Sequence, residues 1–384
     1  MCVPMFNLRA EYEALRDEID AAIQRVIDSG SFVLGEEVEA FEAEFARYCG
    51  ARYAVGVGSG TAALHLGLMA CGIGPGDEVI TAPNSDNPTT MTLSHCGATI
   101  VWADIDRRTF NLDPARIEEK ITGRTRAILP VHLFGHPADM DPIMEIARHR
   151  GLLVIEDAAL AVGAEYKGRR VGTIGDVGCI SLAPNKILGA YGDAGIIITN
   201  RKEIADRIKV LRNYGHSLEM EAGIDGTLGI RSWELVAEGF NERLDTLQAA
   251  ILRAKLPTLE DRIARRREVA NQYNQRLASL DLVTPYEALE VRHVYRAYTV
   301  VIENREQVRD HLAARGIASR LYYSPPLHLQ PTYAHLGFQP GAFPVTEEVA
   351  AKMLALPLFP EITDEQIMTV VSALEEWAAA NPAP

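Results

Sequence analysis

Cysteine is scarce. Cys2, Cys49, Cys71, Cys96 and Cys179 are five scattered thiols in 384 residues, odd in number and with no CxxC pair. That spacing argues against a disulfide framework, offers no zinc site and suits a reducing compartment. Basic residues are also short: 38 Lys and Arg face 52 Asp and Glu, a formal net charge of −14. A nucleic-acid surface needs clustered cations to neutralise phosphate, so no nucleic-acid partner is expected. No apolar run is long enough for a bilayer, and the opening "MCVPMFNLRAEYEAL" has no signal-peptide core. The expectation is a cytoplasmic chain with no membrane contact. Internal repeats and low-complexity linkers are missing too.

What is present is enough apolar residue, 47%, to bury a large core. Short β-rich runs ("YAVGV", "EVITA", "TIVWADI", "AILPVHL", "LLVIED", "GCISL", "GIIIT") alternate with helical patterns such as "TAALHLGLMACG" and "DMDPIMEIARHRG". Apolar runs without strict alternation suit strands covered on both faces, which predicts a mostly parallel α/β sheet. The alternation fades after about Thr199. A long helical pattern from Leu244 to Leu277 follows, then "AYTVVI" and "IASRLYY" around the helix-like "REQVRDHLAARG". We read residues 1–240 as a large α/β domain and residues 241–384 as a connecting helix with a smaller α+β domain. The last helix begins at "TDEQ" with a Thr cap.

In open α/β sheets ligands bind beyond the carboxyl ends of the strands, and three groups fall at such ends. "GVGSGTAAL" follows the first strand and opens a helix; its amides from Gly58 to Thr61 suit a phosphate, or simply a tight turn. "VIEDAAL" closes a buried strand with Glu156 and Asp157. Acids there are costly unless paired, so a cationic partner or a helix cap is expected. "SLAPNKILGAYGDAG" places Ser181 and Lys186 at a third strand end. A lone lysine reads as a solvated side chain. In the order cradle, acid, lysine it reads as the anchor of pyridoxal phosphate: Ser181 on the phosphate, Asp157 on the pyridine nitrogen, Lys186 on the aldehyde carbon.

At these residues the chain resembles the DegT/DnrJ/EryC1/StrS family of pyridoxal-phosphate aminotransferases. The resemblance also runs through "SGSFVLGEEVEAFEAEFARYCG", "LPVHLFGHPADMD", "FNERLDTLQAAIL" and "PPLHLQPTYAHLGF". It implies a fold-type-I enzyme with a mixed, mostly parallel seven-stranded sheet, and a homodimer with shared active sites. It further implies Lys186 as the Schiff-base lysine, Asp157 as the pyridinium partner, and Gly60, Thr61 and Ser181 around the phosphate. Asn241 matches an asparagine that reaches the phosphate from the other subunit; it also reads as the N-cap of the helix that follows. Arg243 and His328 match positions near the substrate. The reaction implied is amino transfer from an amino acid, L-glutamate by resemblance, through pyridoxamine phosphate to a keto sugar, nucleotide-linked in most of the family. No metal is expected.

Three departures bear on the substrate. Asp86 stands where the family usually has an aromatic over the cofactor ring, and no Phe, Tyr or Trp lies between Ala82 and Ala98. Asp86 therefore reads either as a helix cap or as a substrate contact. Leu160 replaces a usual glutamine. The stretch from 216 to 240, with Trp233, is longer than usual and reads as a lid, a subunit contact or a packed loop. These departures keep open a cyclitol or other ketone as acceptor, a lyase or aldolase reaction, and a non-catalytic regulatory relative.

Overall fold

The computed structural model describes residues 2–218, 220–222, 228–230 and 234–381. Two helices, α1 (Leu8–Ala14) and α2 (Arg16–Ser29), lead through a glycine-marked turn into α3 (Glu36–Cys49). Then β1 (Tyr53–Val57), α4 (Gly60–Ala70), β2 (Glu78–Thr81), α5 (Asn87–His95), β3 (Thr99–Trp102), β4 (Thr125–Ile128), α6 (Met140–Arg150) and β5 (Leu153–Asp157) alternate as the sequence predicts. The small strands β6 (Glu165–Tyr166) and β7 (Arg169–Arg170) precede β8 (Val177–Ser181), β9 (Gly195–Thr199) and α7 (Lys202–Arg212). One seven-stranded sheet runs in the order β1-β9-β8-β5-β4-β2-β3. β9 is antiparallel to both of its neighbours and every other pairing is parallel. The carboxyl ends of β1, β5 and β8 therefore share one edge with the start of β9. The run "GIIIT" of β9 is buried at every position, as a strand covered on both faces requires.

Beyond this sheet, β10 (Met220–Ala222) pairs with β11 (Leu228–Ile230), and β12 (Val291–Arg292) joins β6. The Leu244–Leu277 helix is broken: α8 (Thr246–Lys255) ends in a 3-10 turn through Pro257 before α9 (Leu259–Arg276). Proline removes a backbone donor and clashes with the preceding turn, so a continuous helix cannot pass it unbent. β13 (Tyr298–Val301) falls where "AYTVVI" predicts it, followed by α10 (Arg305–Ala314). "IASRLYY", however, forms no strand. The partner of β13 is β14 (Met353–Leu356), directly after α11 (Pro344–Lys352). A four-residue apolar run at a helix end is indistinguishable by periodicity from another helical turn. The closing helix α12 (Asp364–Ala380) carries a full capping box, Thr363 with Gln366. Val3 hydrogen-bonds Gly316 and Ala318, tying the start of the chain to the C-terminal part.

Candidate active site

The last two residues of β5 point to opposite faces because side chains alternate along a strand. Glu156, fully buried, accepts from His132 Nε2 at 2.9 Å and from the amides of Gly172, Ile174 and Gly175 at 2.7, 2.8 and 2.6 Å. Burial works against its charge, yet His132 and these amides outweigh it and hold the carboxyl below its usual range. Its role is to fasten the loop before β8. Asp157 is different. Its Oδ2 accepts from Thr89 Oγ1 at 2.8 Å and its Oδ1 from the Ala159 amide at 3.1 Å. Thr89 in turn lies 2.6 Å from Ser85 Oγ. Among the described residues no cation reaches Asp157 within ion-pair distance, and burial pushes its carboxyl above the usual range against the pull of Thr89, Ala159 and Lys186. A buried carboxylate with only neutral donors is a site waiting for a cationic N–H.

The next strand ends bring the other two groups alongside. Val57 and Ser181 both register against Gly195. α4 starts at Gly60 with Ser59 as its N-cap, accepting from the Ala62 amide at 3.0 Å. The first amides of a helix have no partner within it, so those of Gly60 and Thr61 face outward next to Ser181. The approach is close: a Cβ on Gly60 would lie 2.5 Å from Ser181 Cβ, and one on Gly195 would lie 2.2 Å from the Ser59 carbonyl. Only glycine allows this packing, and the result is a cradle of amides and one hydroxyl suited to a phosphate.

Lys186 follows β8 in a turn, its amide donating to the Ala183 carbonyl at 2.9 Å. The side chain is half-buried, and among the described residues its amine has no hydrogen bond or ion pair. Burial and the nearby Arg296 charge press its pKa down to about 8, while Asp157 and Asp86 pull the other way.

Asp86 caps α5, accepting from the Asn87 amide at 2.8 Å, and is exposed. The cap role is therefore present, and its charge still acts on Lys186 and on Tyr323. Tyr323 supplies an aromatic ring that the sequence around Asp86 lacks. Its phenol is raised by burial and by Asp86, and it is in electrostatic reach of Asp157. The ring stacks on Phe134, centroids 6.5 Å apart. Neither Tyr323 nor Arg296 was marked by motif or spacing; both arrive from the C-terminal part through tertiary packing.

Asn241 is exposed and bridges Asn213; it is not a helix cap, since α8 starts at Thr246 with Asp245 in the cap position. Arg243 pairs with Val57 through its backbone, donates to Asn213 Oδ1 at 3.1 Å and lies over the Tyr214 ring at 4.9 Å. His328, expected near the substrate, is instead buried against Trp102 and Phe343, 3.0 Å from Glu347. With no exposed ring atom it serves the core. Leu160 packs against the main core cluster. Trp233 lies outside the described residues. Among the described residues no group of His, Cys, Asp and Glu could hold a metal, and no helix is long and apolar enough to cross a membrane.

An amide-and-hydroxyl cradle, a buried carboxylate without a cation and an unpaired amine on one sheet edge suit pyridoxal phosphate, and the chain is a pyridoxal-phosphate aminotransferase by its relatives. The residues fit that cofactor. The profile of the DegT/DnrJ/EryC1/StrS aminotransferase family matches residues 13–375, and the chain belongs to that family. It is similar to a dTDP-3-amino-3,4,6-trideoxy-alpha-D-glucose transaminase of Streptomyces venezuelae, 44% identical over 98% of this chain and 96% of that one. A pleiotropic regulatory protein of Geobacillus stearothermophilus is 42% identical over 98% of this chain and 99% of its own. The crystal structure of S. venezuelae DesV in complex with a ketimine intermediate superposes with a TM-score of 0.93, at 44% identity and 98% coverage of both chains.

Proposed function

We propose that this aminotransferase moves an amino group from L-glutamate to the keto carbon of a nucleoside-diphosphate sugar, for amino-sugar biosynthesis. The observation that carries the catalytic part is the pairing of Lys186, an unpartnered amine with a lowered pKa, with Asp157, a buried carboxylate facing no cation. The dTDP-sugar transaminase, similar along nearly its whole length, supports the acceptor class.

Pyridoxal phosphate, when bound, supplies an aldehyde for an amine and a ring that takes up electrons. Ser181 and the amides of Gly60 and Thr61 bind its phosphate. Asp157, oriented by Thr89, holds a proton on the pyridine nitrogen. Lys186 Nζ would be the amine that holds the cofactor and, when free, the group that moves a proton at the reacting carbon of the substrate. Asp86 and Arg243 are the residues assigned to the sugar substrate.

The enzyme works as a homodimer in which Asn241 of a second copy completes the phosphate site. Support comes from one apolar face: Phe32, Val33, Tyr214, Leu235 and Val236 are exposed on the segments that pair with or adjoin residues 240–246. Exposed apolar side chains of this kind suit a two-fold interface. A purely regulatory role, which the name of the Geobacillus relative suggests, would not require a phosphate cradle, a buried acid and a free amine together.

The test is a screen of keto acceptors against the protein loaded with pyridoxamine phosphate, read by mass spectrometry of the amine formed. Amination of a dTDP- or UDP-linked keto sugar is expected. Amination of free cyclitols alone would contradict the proposed acceptor.

A further inference from the structure

One buried lysine has no part in the chemistry described so far. Residues 182–194, which carry Lys186 from β8 to β9, form neither helix nor strand. The segment folds back on itself: the Leu182 amide donates to the Ala194 carbonyl at 2.9 Å and the Ala190 amide to the Leu182 carbonyl at 2.8 Å. Gly189 packs so tightly there that a Cβ on it would lie 2.5 Å from the Pro184 carbonyl oxygen. Two side chains of α8 fasten the far side of the loop. Gln248 Oε1 accepts from the Tyr191 amide at 2.8 Å, and Lys255 Nζ, two turns further along the helix, donates to the Gly189 carbonyl. Lys255 Nζ also lies over the Tyr191 ring, 4.9 Å from its centroid.

Lysine is a costly donor for this task. Only 1% of Lys255 is exposed, and an ammonium group taken out of water needs a counter-ion. Glu11 of α1, itself buried, supplies it at 2.9 Å. Arg262 of α9 holds the other Glu11 oxygen at 3.2 Å and reaches Glu361, just before α12, at 2.7 Å. Buried ion pairs add little stability over well-packed apolar side chains, so stability alone does not account for a charge here. The ammonium does what an apolar side chain cannot: it fixes a carbonyl three residues past Lys186 against α8. A reacting group displaced by about 1 Å can lose about 100-fold in rate, so the hold on its loop bears on the chemistry. We propose that Lys255, neutralised by Glu11, is a positioning residue that sets where Lys186 stands by clamping Gly189. The assignment rests on the reading of Lys186 as the cofactor's anchor.

Two compounds with the same ring and phosphate separate this role from general support of the fold. Pyridoxal phosphate must be captured by Lys186, whereas pyridoxamine phosphate has no aldehyde and needs only the cradle and Asp157. Capture by apoprotein is read from the growth of the visible band and from fixation by borohydride. Affinity for pyridoxamine phosphate is read by equilibrium dialysis. In Lys255→Met, which keeps the length and loses the donor, capture should slow about 30-fold, the worth of a hydrogen bond from a charged group, with pyridoxamine phosphate affinity within about twofold of wild type. The double variant Glu11→Gln/Lys255→Met, which removes both charges of the pair, should slow capture equally and serves if the single variant folds poorly. Equal losses with both compounds would make Lys255 a support of the whole site, and unchanged capture would mean that the loop holds Lys186 unaided; either overturns the proposal. Wild-type apoprotein that binds pyridoxamine phosphate yet fixes no pyridoxyl group at Lys186 would instead sink the reading of the anchor, and the proposal with it.

Discussion

A lysine attacks an aldehyde only as the neutral amine, so the surroundings of Lys186 decide when it reacts. Burial and then Arg296 disfavour the ammonium form, Asp157 and Asp86 oppose them, and the balance lowers the pKa to about 8. The neutral form thus prevails above about pH 8. Uptake of pyridoxal phosphate by apoprotein should accelerate through that pH; acceleration only near the free-lysine value of about 10.4 would contradict the described environment. Lys186→Ala should lose turnover by about 10³-fold or more, and borohydride should then fix no pyridoxyl group to the chain. A group fixed to another lysine would move the anchor elsewhere. Asp157→Asn keeps shape and the Thr89 hydrogen bond, and burial already raises the acid. Its melting temperature should stay close to wild type while the glutamate half-reaction slows by about 10²-fold or more. An unimpaired half-reaction would exclude Asp157 as the pyridinium partner. These residues were legible in the sequence because strand ends in an α/β sheet are predictable from apolar runs. Tyr323 and Arg296 were not, since nothing local marks a side chain brought in from a distant segment. His328 was misplaced because a histidine between two leucines reads the same whether its ring faces a ligand or packs on Trp102.

Among the elements, the junction of α4 with β8 and β9 sets the shape of the cradle. Gly60→Ala would drive a methyl group to 2.5 Å from Ser181 Cβ, so the helix start must shift outward. Affinity for pyridoxal phosphate should fall about tenfold or more, with the loss seen by equilibrium titration of apoprotein. Full affinity would mean that the phosphate sits elsewhere. All seven strands of the main sheet were legible, as were the helices between them. Their apolar runs are continuous where both faces are covered and their ends are marked by Gly, Pro or Asp. The break at Pro257 was overlooked because apolar spacing continues on both sides of it. β14 was missed because its four residues follow α11 without a turn signal.

For the molecule as a whole, the exposed apolar face around Phe32, Val33, Tyr214, Leu235 and Val236 predicts association. Sedimentation should give a dimer, and a fully active monomer would contradict the shared site. A complementation experiment tests the sharing itself. Lys186→Ala and Asn241→Ala variants are each impaired, but a re-equilibrated mixture contains dimers with one site built from two intact halves. It should regain about a quarter of the wild-type activity, since half of the dimers are mixed and each holds one such site. No gain on mixing would place Asn241 in its own subunit's site or outside the site altogether. The measurement that bears most directly on amino transfer at Lys186 is the single half-reaction. Holoprotein mixed with L-glutamate and no acceptor should lose its visible band while releasing 2-oxoglutarate in stoichiometric amount, then stop. A protein that binds pyridoxal phosphate but leaves L-glutamate unchanged would contradict the proposal.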